Sequence, residues 1–246
     1  MSKFAVIIPA AGRSTRFKDK NYKKPFAPLD GRAMWLHSAE RFLNRDDVVQ
    51  CILVINKEDR EFFSMKFGAN VAILGVEVVD GGAQRADSVE RALAKVKPAA
   101  DFVAVHDAAR PLIVDEWIAA VFSAAEKSGA AILAIPVADT LKRVSASRVI
   151  DETVPRENLW AAQTPQVFRR ELLLNAYAKR AGADATDDAQ LVERLGHPVS
   201  VVPGSPLNIK IATREDFRLA EKAIHALPRP KPKGAAHPFA DDNLWR

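Results

Sequence analysis

At 246 residues, 48% hydrophobic and 27% charged, the chain is long enough to bury a sizeable core and has the composition of a soluble α/β protein. No apolar run reaches membrane-spanning length, Met1, Ser2 and Lys3 lead straight into an apolar segment, and Cys51 is the single cysteine, so no membrane segment, signal peptide or internal disulfide is expected and a cytoplasmic setting fits. The net charge of +5 suits small anionic ligands, whereas the absence of a basic stripe interleaved with aromatics argues against nucleic acid.

Apolar runs alternate with helical patterns along the chain, which predicts a mostly parallel, twisted sheet flanked by helices. Strands are expected at residues 4–8 (FAVII), 50–55, 76–79, 102–106, 131–135 and 199–202. Helices are expected at 33–43, 85–96, 115–127, 169–180, 187–195 and 214–227, the last with Thr213 as its N-cap. Cys51, inside CILVI, reads as a buried small hydrophobe. Residues 140–155 (TLKRVSASRVIDETVP) alternate about a polar turn and predict a protruding two-stranded β-arm. An isolated hairpin is marginal alone, so the arm either packs on a second subunit or stands solvated at the surface. Residues 1–227 are expected to form the folded α/β domain, the arm included. Residues 228–246, rich in Pro and Lys, are expected to be an extended, poorly ordered tail up to about residue 236, with Phe239 and Trp245 docking locally.

Chemistry-bearing residues fall at the ends of these predicted strands, where open α/β sheets bind ligands. The first strand runs into Pro9, Ala10, Ala11 and Gly12, then Arg13, Ser14, Thr15 and Arg16, with Lys23 and Lys24 one short loop later. Small residues let backbone N–H groups approach a polyphosphate, and Arg16 and Lys24 add charge. Neither G-x-x-x-x-G-K-S/T nor G-x-G-x-x-G occurs. The third strand ends in Asp80, Gly81 and Gly82, a bend able to present amides to a base or ribose, with the Ser88 hydroxyl nearby. The fourth ends in HDAARP. There Asp107 is placed as the single carboxylate that Mg²⁺ takes beside phosphate oxygens, and Arg110 pairs with Asp107 or with an anion. His106 reads as a structural imidazole, because no second His or Cys lies at ligand spacing. Thr140, Arg156, the Thr186–Asp187–Asp188 run and Asn208–Ile209–Lys210 are further polar points, and no nucleophile sits in a G-x-S-x-G setting.

Together these pieces resemble the 2-C-methyl-D-erythritol 4-phosphate cytidylyltransferases of non-mevalonate isoprenoid biosynthesis, most specifically in HDAARP combined with GG-x-x-R-x-DSV across residues 81–89. The resemblance spans about residues 4–225. It implies a Rossmann-like nucleotidyltransferase fold, a homodimer whose arm crosses to the partner, CTP and Mg²⁺, a polyol phosphate acceptor, and release of pyrophosphate. By position it implies that Arg16, Lys24 and Lys210 hold the reacting phosphates. Ala10, Ala11 and Gly12 line the triphosphate, and Gly82 and Ser88 contact cytidine. Asp107 lies near ribose, metal and substrate, while Thr140, Arg156 and Thr186 hold the polyol phosphate. Three departures stand out: Ser14 where the family usually has a second glycine, Lys23-Lys24-Pro25 in place of Pro-Lys-Gln, and Ala83 where relatives often carry Asp. The second leaves Lys23 as a rival to Lys24. A ribitol-5-phosphate cytidylyltransferase shares this chemistry, a sugar-1-phosphate nucleotidyltransferase is more distant, and a catalytically silent nucleotide-binding module is the reading from another class.

Overall fold

Residues 4–8 are apolar at every position because the strand they form is covered on both faces, as parallel strands with crossover helices are. A computed structural model describes residues 1–12, 16–17, 22–182 and 184–228. Arg13, Ser14 and Thr15 lie outside the described residues, as does the expected tail beyond residue 228 with Phe239 and Trp245. In chain order the elements are β1 (Phe4–Pro9), a 3-10 turn at Lys24–Phe26, the short hairpin β2 (Pro28–Leu29) and β3 (Arg32–Ala33), α1 (Met34–Leu43), β4 (Val48–Ile55), α2 (Arg60–Leu74), β5 (Glu77–Asp80) and α3 (Arg85–Leu93). There follow β6 (Phe102–Val105), α4 (Asp115–Ser128), β7 (Ala130–Pro136), β8 (Leu141–Val144), β9 (Ile150–Val154), β10 (Trp160–Arg169), α5 (Arg170–Ala178), α6 (Asp188–Glu193), β11 (Ser200–Pro203) and α7 (Arg214–Ala223).

Seven strands form one sheet in the order β11-β7-β10-β6-β1-β4-β5, with β10 antiparallel to both neighbours and the other adjacent pairs parallel. Side chains of β1 alternate between two cores. Phe4, Val6 and Ile8 pack with α1, α2 and α4 through Trp35, Phe63 and Phe122, whereas Ala5 and Ile7 pack with α3, α5 and α6 through Val89, Leu173 and Val192. A third cluster joins Phe17, Leu29, Met34, Leu112, Ile211 and Ala220, so α7 closes over the β2–β3 hairpin. Thr213 caps α7 in a capping box with Asp216.

Besides the short β2–β3 hairpin, a helix and a strand depart from the sequence expectation. Helix α2 has no clear signature because its apolar residues ring the helix: Phe63 and Phe67 are buried while Phe62, Met65 and Ile73 face solvent, so no single stripe stands out. Strand β10 is masked because Pro165 interrupts it and its first three residues are exposed. Its pairing with β7 breaks register between Ala162 and Gln166, where the Thr164–Pro165 peptide is cis. The expected arm is present as β8 and β9, joined across Ser145 and Val149, and it exposes Val144, Val149 and Ile150. Among the described residues no helix is long and apolar enough to cross a membrane.

Candidate active site

Because β1, β4, β5 and β6 run in parallel, their carboxyl ends share one edge of the sheet, and antiparallel β10 brings Thr164 and Gln166 to that same edge beside Val105. A cleft of about 660 Å³ opens there, lined by the Pro9–Gly12 loop, Arg16, Lys24, Gly82, Ser88, Asp107 and Lys210, among others. A smaller cavity of about 210 Å³ adjoins it, lined by Arg110, Gln163, Thr164, Gln166, Thr186 and Asp187. Arg85, Asp107 and Lys210 line both cavities.

Residues far apart in sequence meet here for identifiable reasons. Arg16 and Lys210 each precede a buried apolar residue of the third cluster, Phe17 and Ile211. Phe17 stacks edge-on against Phe217 of α7, with ring centroids 5.7 Å apart. The segment carrying Lys210 is tied to the HDAARP loop: Ile211 N donates to Ala109 O (2.8 Å), and Asn208 Nδ2 donates to Thr164 O (2.9 Å). Lys210 Nζ therefore sits 2.6 Å from Asp107 Oδ2. Lys23 and Lys24 diverge. The Lys23 ammonium is tied to the Asp59 carboxylate, whereas burial, then Lys210 and, more weakly, Arg16 depress the Lys24 pKa against the pull of Asp107 and Asp216. Both lysines line the cleft, but Lys24 is the one whose charge interacts with Asp107, Lys210 and Arg16, while Lys23 is held by Asp59.

Asp107 is the junction of the two cavities. Its buried carboxylate takes Arg85 Nε on Oδ1 (3.3 Å) and Lys210 on Oδ2. Burial alone would raise its pKa, but the Arg85 guanidinium and the Lys210 ammonium hold the carboxyl well below its usual range. Asp107 and an anion are the two alternative partners expected for the Arg110 side chain, and a hydrogen-bonded pair with Asp107 is not how Arg110 is used. Its guanidinium instead donates to the carbonyls of Asn208 (2.5 Å) and Ala162 (3.4 Å), fastening the Lys210 segment and β10 to this loop. Buried His106 contacts Thr164 Oγ1 (3.2 Å) through Nδ1 and Arg110 O (3.1 Å) through Nε2. Since a carbonyl only accepts, Nε2 carries the proton, Nδ1 accepts from Thr164, and the ring stays neutral, burial having pushed its pKa down to about 4. The Thr164 hydroxyl in turn accepts from Asp107 N (3.0 Å).

The Gly81–Gly82 bend is glycine for steric reasons. A Cβ on Gly82 would lie 2.3 Å from Asp87 Cβ, and one on Gly81 would lie 2.4 Å from Ala11 Cβ, so the two ligand loops touch. The Ser88 hydroxyl is committed to this bend, accepting from Gly82 N and donating to Gln84 O, both at 3.0 Å. Its contribution to the cleft is first of all to shape the Gly82 backbone. Thr186 borders the small cavity, and Asp187 caps α6 through Gln190 N (3.0 Å). Thr140 and Arg156 do not line these two cavities. Both are exposed at the base of the arm, where the Arg156 guanidinium bonds Ala138 O. Sequence reasoning gives no role at the site to Arg85, Thr164, Gln166 and Asp188, although Arg85 stands in GG-x-x-R-x-DSV and Asp188 in the Thr186–Asp187–Asp188 run; nothing local to Arg85 reveals that its partner is Asp188, 103 residues away.

No group of three or more His, Cys, Asp or Glu side chains that could hold a metal ion by themselves occurs among the described residues. A magnesium ion in a nucleotide site does not need such a cage, since one ionised carboxylate with phosphate oxygens and water completes its shell. Asp107, held ionised at the mouth of both cavities, fits that role.

Residues 4–226 match the family model described as IspD: 2-C-methyl-D-erythritol 4-phosphate cytidylyltransferase. A curated relative of that description from Rhodopirellula baltica is 44% identical over 232 residues, covering 90% of this chain and 94% of the relative. Another, from Bacillus velezensis, is 43% identical over 227 residues, covering 91% and 96%. Among solved structures, the 2-C-methyl-D-erythritol 4-phosphate cytidylyltransferase of Thermus thermophilus superimposes with a TM-score of 0.75 at 35% identity, covering 92% of this chain and all of that one. With the sheet order, the cleft and these likenesses in agreement, the chain belongs to the 2-C-methyl-D-erythritol 4-phosphate cytidylyltransferase family.

Proposed function

We propose that the cleft carries out the reaction for which the family is named, joining CTP to 2-C-methyl-D-erythritol 4-phosphate and releasing pyrophosphate. The observation that carries this reading is the convergence of Arg16, Lys24 and Lys210 on one cleft, with Asp107 at its junction with a second, smaller cavity. A phosphate oxygen of the acceptor attacks the α-phosphorus of CTP in line. The new P–O bond forms as the bond to the bridging oxygen breaks, and pyrophosphate carries away that electron pair. A phosphate monoester is already an anion near neutral pH, so no strong general base is required. Catalysis is then the holding of two mutually repelling anions and the stabilising of charge as it moves to the leaving group. The backbone of Ala10, Ala11 and Gly12 borders the triphosphate, Arg16, Lys24 and Lys210 face it, and Gly82 and Ser88 border the cytidine. Thr186 receives the acceptor phosphate in the small cavity. Asp107 is the residue that would hold Mg²⁺, which when bound would screen the charges of the two substrates. Thr140 and Arg156 complete the acceptor pocket from the partner's arm in a homodimer, a reading supported by neither residue lining its own subunit's two cavities and by the exposed apolar residues of the arm.

The test is pyrophosphate release by the purified protein from CTP and 2-C-methyl-D-erythritol 4-phosphate, alongside ribitol 5-phosphate and a sugar 1-phosphate. Turnover with the branched acceptor, abolished by chelation and restored by Mg²⁺, is expected. Preference for ribitol 5-phosphate would reassign the acceptor, and absence of release with every acceptor would leave a nucleotide-binding module. A pH profile adds a check. A lowered Lys24 pKa means its charge is lost at lower pH than an ordinary lysine's. The kcat/KM for CTP, which reports the free protein, should therefore fall on the alkaline side with an apparent pKa below 10.5, and Lys24→Arg should move that limb upward.

A further inference from the structure

Arg85, which lines both cavities, pairs with a buried carboxylate. Arg85 uses Nε on Asp107 Oδ1 (3.3 Å) and Nη2 on Asp188 Oδ2 (2.8 Å). Asp188 is the first residue of α6, fully buried, and its other oxygen accepts from the Tyr177 hydroxyl (2.6 Å). The same turn is fastened to β10, because Gln166 Oε1 accepts from Asp188 N and Ala189 N at 3.0 Å each, while Gln166 Nε2 donates to Asp187 Oδ2 (2.8 Å). A carboxylate this deep is costly unless paired, and an apolar residue would fill the space at less cost. What the charge adds is direction. It fixes a planar guanidinium whose Nε reaches the Asp107 oxygen that Lys210 does not contact.

We propose that Arg85, anchored by Asp188, is a positioning residue that holds Asp107 and the Thr186–Asp187 wall of the small cavity in a set relation, so that the acceptor phosphate meets the nucleotide in line. The inference rests on the reading of the small cavity as the acceptor pocket. Arg85 belongs to both cavities, and Asp188 is the first helical residue after Asp187, which lines the small one. Loss of the pair should therefore fall on the acceptor and on the chemical step, and spare CTP binding.

The experiment compares kcat and both KM values for the full chain and its Arg85→Gln, Arg85→Lys, Asp188→Asn and Arg85→Gln/Asp188→Asn variants, with melting temperatures alongside. Arg85→Gln and Asp188→Asn are expected to raise the acceptor KM about tenfold and lower kcat about tenfold, with the KM for CTP within about twofold of the parent. The double variant should be no worse than the weaker single one, as expected for two groups acting through one contact. Arg85→Lys keeps the charge but not the fork, so the acceptor KM should stay raised. Arg180→Gln, which removes the pairs to Asp87 and Glu90 away from both cavities, is the structural control and should lower the melting temperature alone. An unchanged acceptor KM in Arg85→Gln, or a CTP KM that rises in step with it, overturns the proposal. If Asp188→Asn does not fold, the two Arg85 variants, whose side chain is partly exposed, decide the same comparison. A parent protein that does not turn over CTP with the acceptor would instead remove the functional reading, and this inference with it.

Discussion

Lys210→Ala is expected to lower kcat by about two to three orders of magnitude, the loss seen when a preorganised donor is taken from a developing anion. Two effects add. The ammonium proposed to face the reacting phosphates disappears, and Asp107, from which it sat 2.6 Å away, loses one of the two cations in contact with its carboxylate and keeps Arg85. A carboxylate stripped of one cation then repels the phosphates it borders. The effect on folding should be small by comparison. The Lys210 side chain is 47% exposed, and ion pairs that solvent reaches contribute little to stability. The informative result is thus a collapse of turnover with a nearly unchanged melting temperature. Lys210→Arg should recover part of the rate, because the charge returns with different geometry. Arg16→Ala should resemble Lys210→Ala in direction. Near-normal turnover in both would remove the electrostatic account of the cleft.

The dependence on distant cations explains which parts of this molecule could be read from its sequence. FAVII and CILVI announce themselves because strands covered on both faces are apolar at consecutive positions. The site loops were legible because parallel strands deliver their carboxyl ends to one edge, so PAAG, DGG and HDAARP had to meet. The partners of Asp107 were not. From sequence Arg110, three residues away, pairs with Asp107 or with an anion, but its guanidinium turns to the carbonyls of Asn208 and Ala162, and Arg85 and Lys210 take the carboxylate. That exchange follows from where β10 enters the sheet, and β10 was hidden by Pro165 and by the exposed residues before it. Lys23 and Lys24 illustrate the same limit. Adjacent and chemically equal, they are separated by Asp59, which captures one of them through a tertiary contact that no local pattern encodes.

Mixing two inactive variants should restore activity if the arm completes the partner's site. Arg156→Ala removes a cation at the base of the arm, and Lys210→Ala removes one from the cleft; each homodimer alone is expected to be impaired about a hundredfold or more. In the proposed homodimer each site takes Lys210 from one subunit and Arg156 from the other. A mixed dimer then holds one site with both replacements and one with neither. Random reassociation of equal amounts makes half the dimers mixed, so activity should return to about a quarter of the parent level, far above the sum of the separate variants. The geometry supports this division, since Arg156 and Thr140 do not line the cavities of their own subunit while Arg16, Lys24 and Lys210 do line them. The apolar residues exposed on the arm, Val144, Val149 and Ile150, supply a reason for it to seek a second surface. Ile150→Asp should accordingly weaken the dimer in analytical ultracentrifugation and lower activity in step with dissociation. If the mixture stays as inactive as its components although mixed dimers form, Arg156 serves its own subunit and the shared site is excluded.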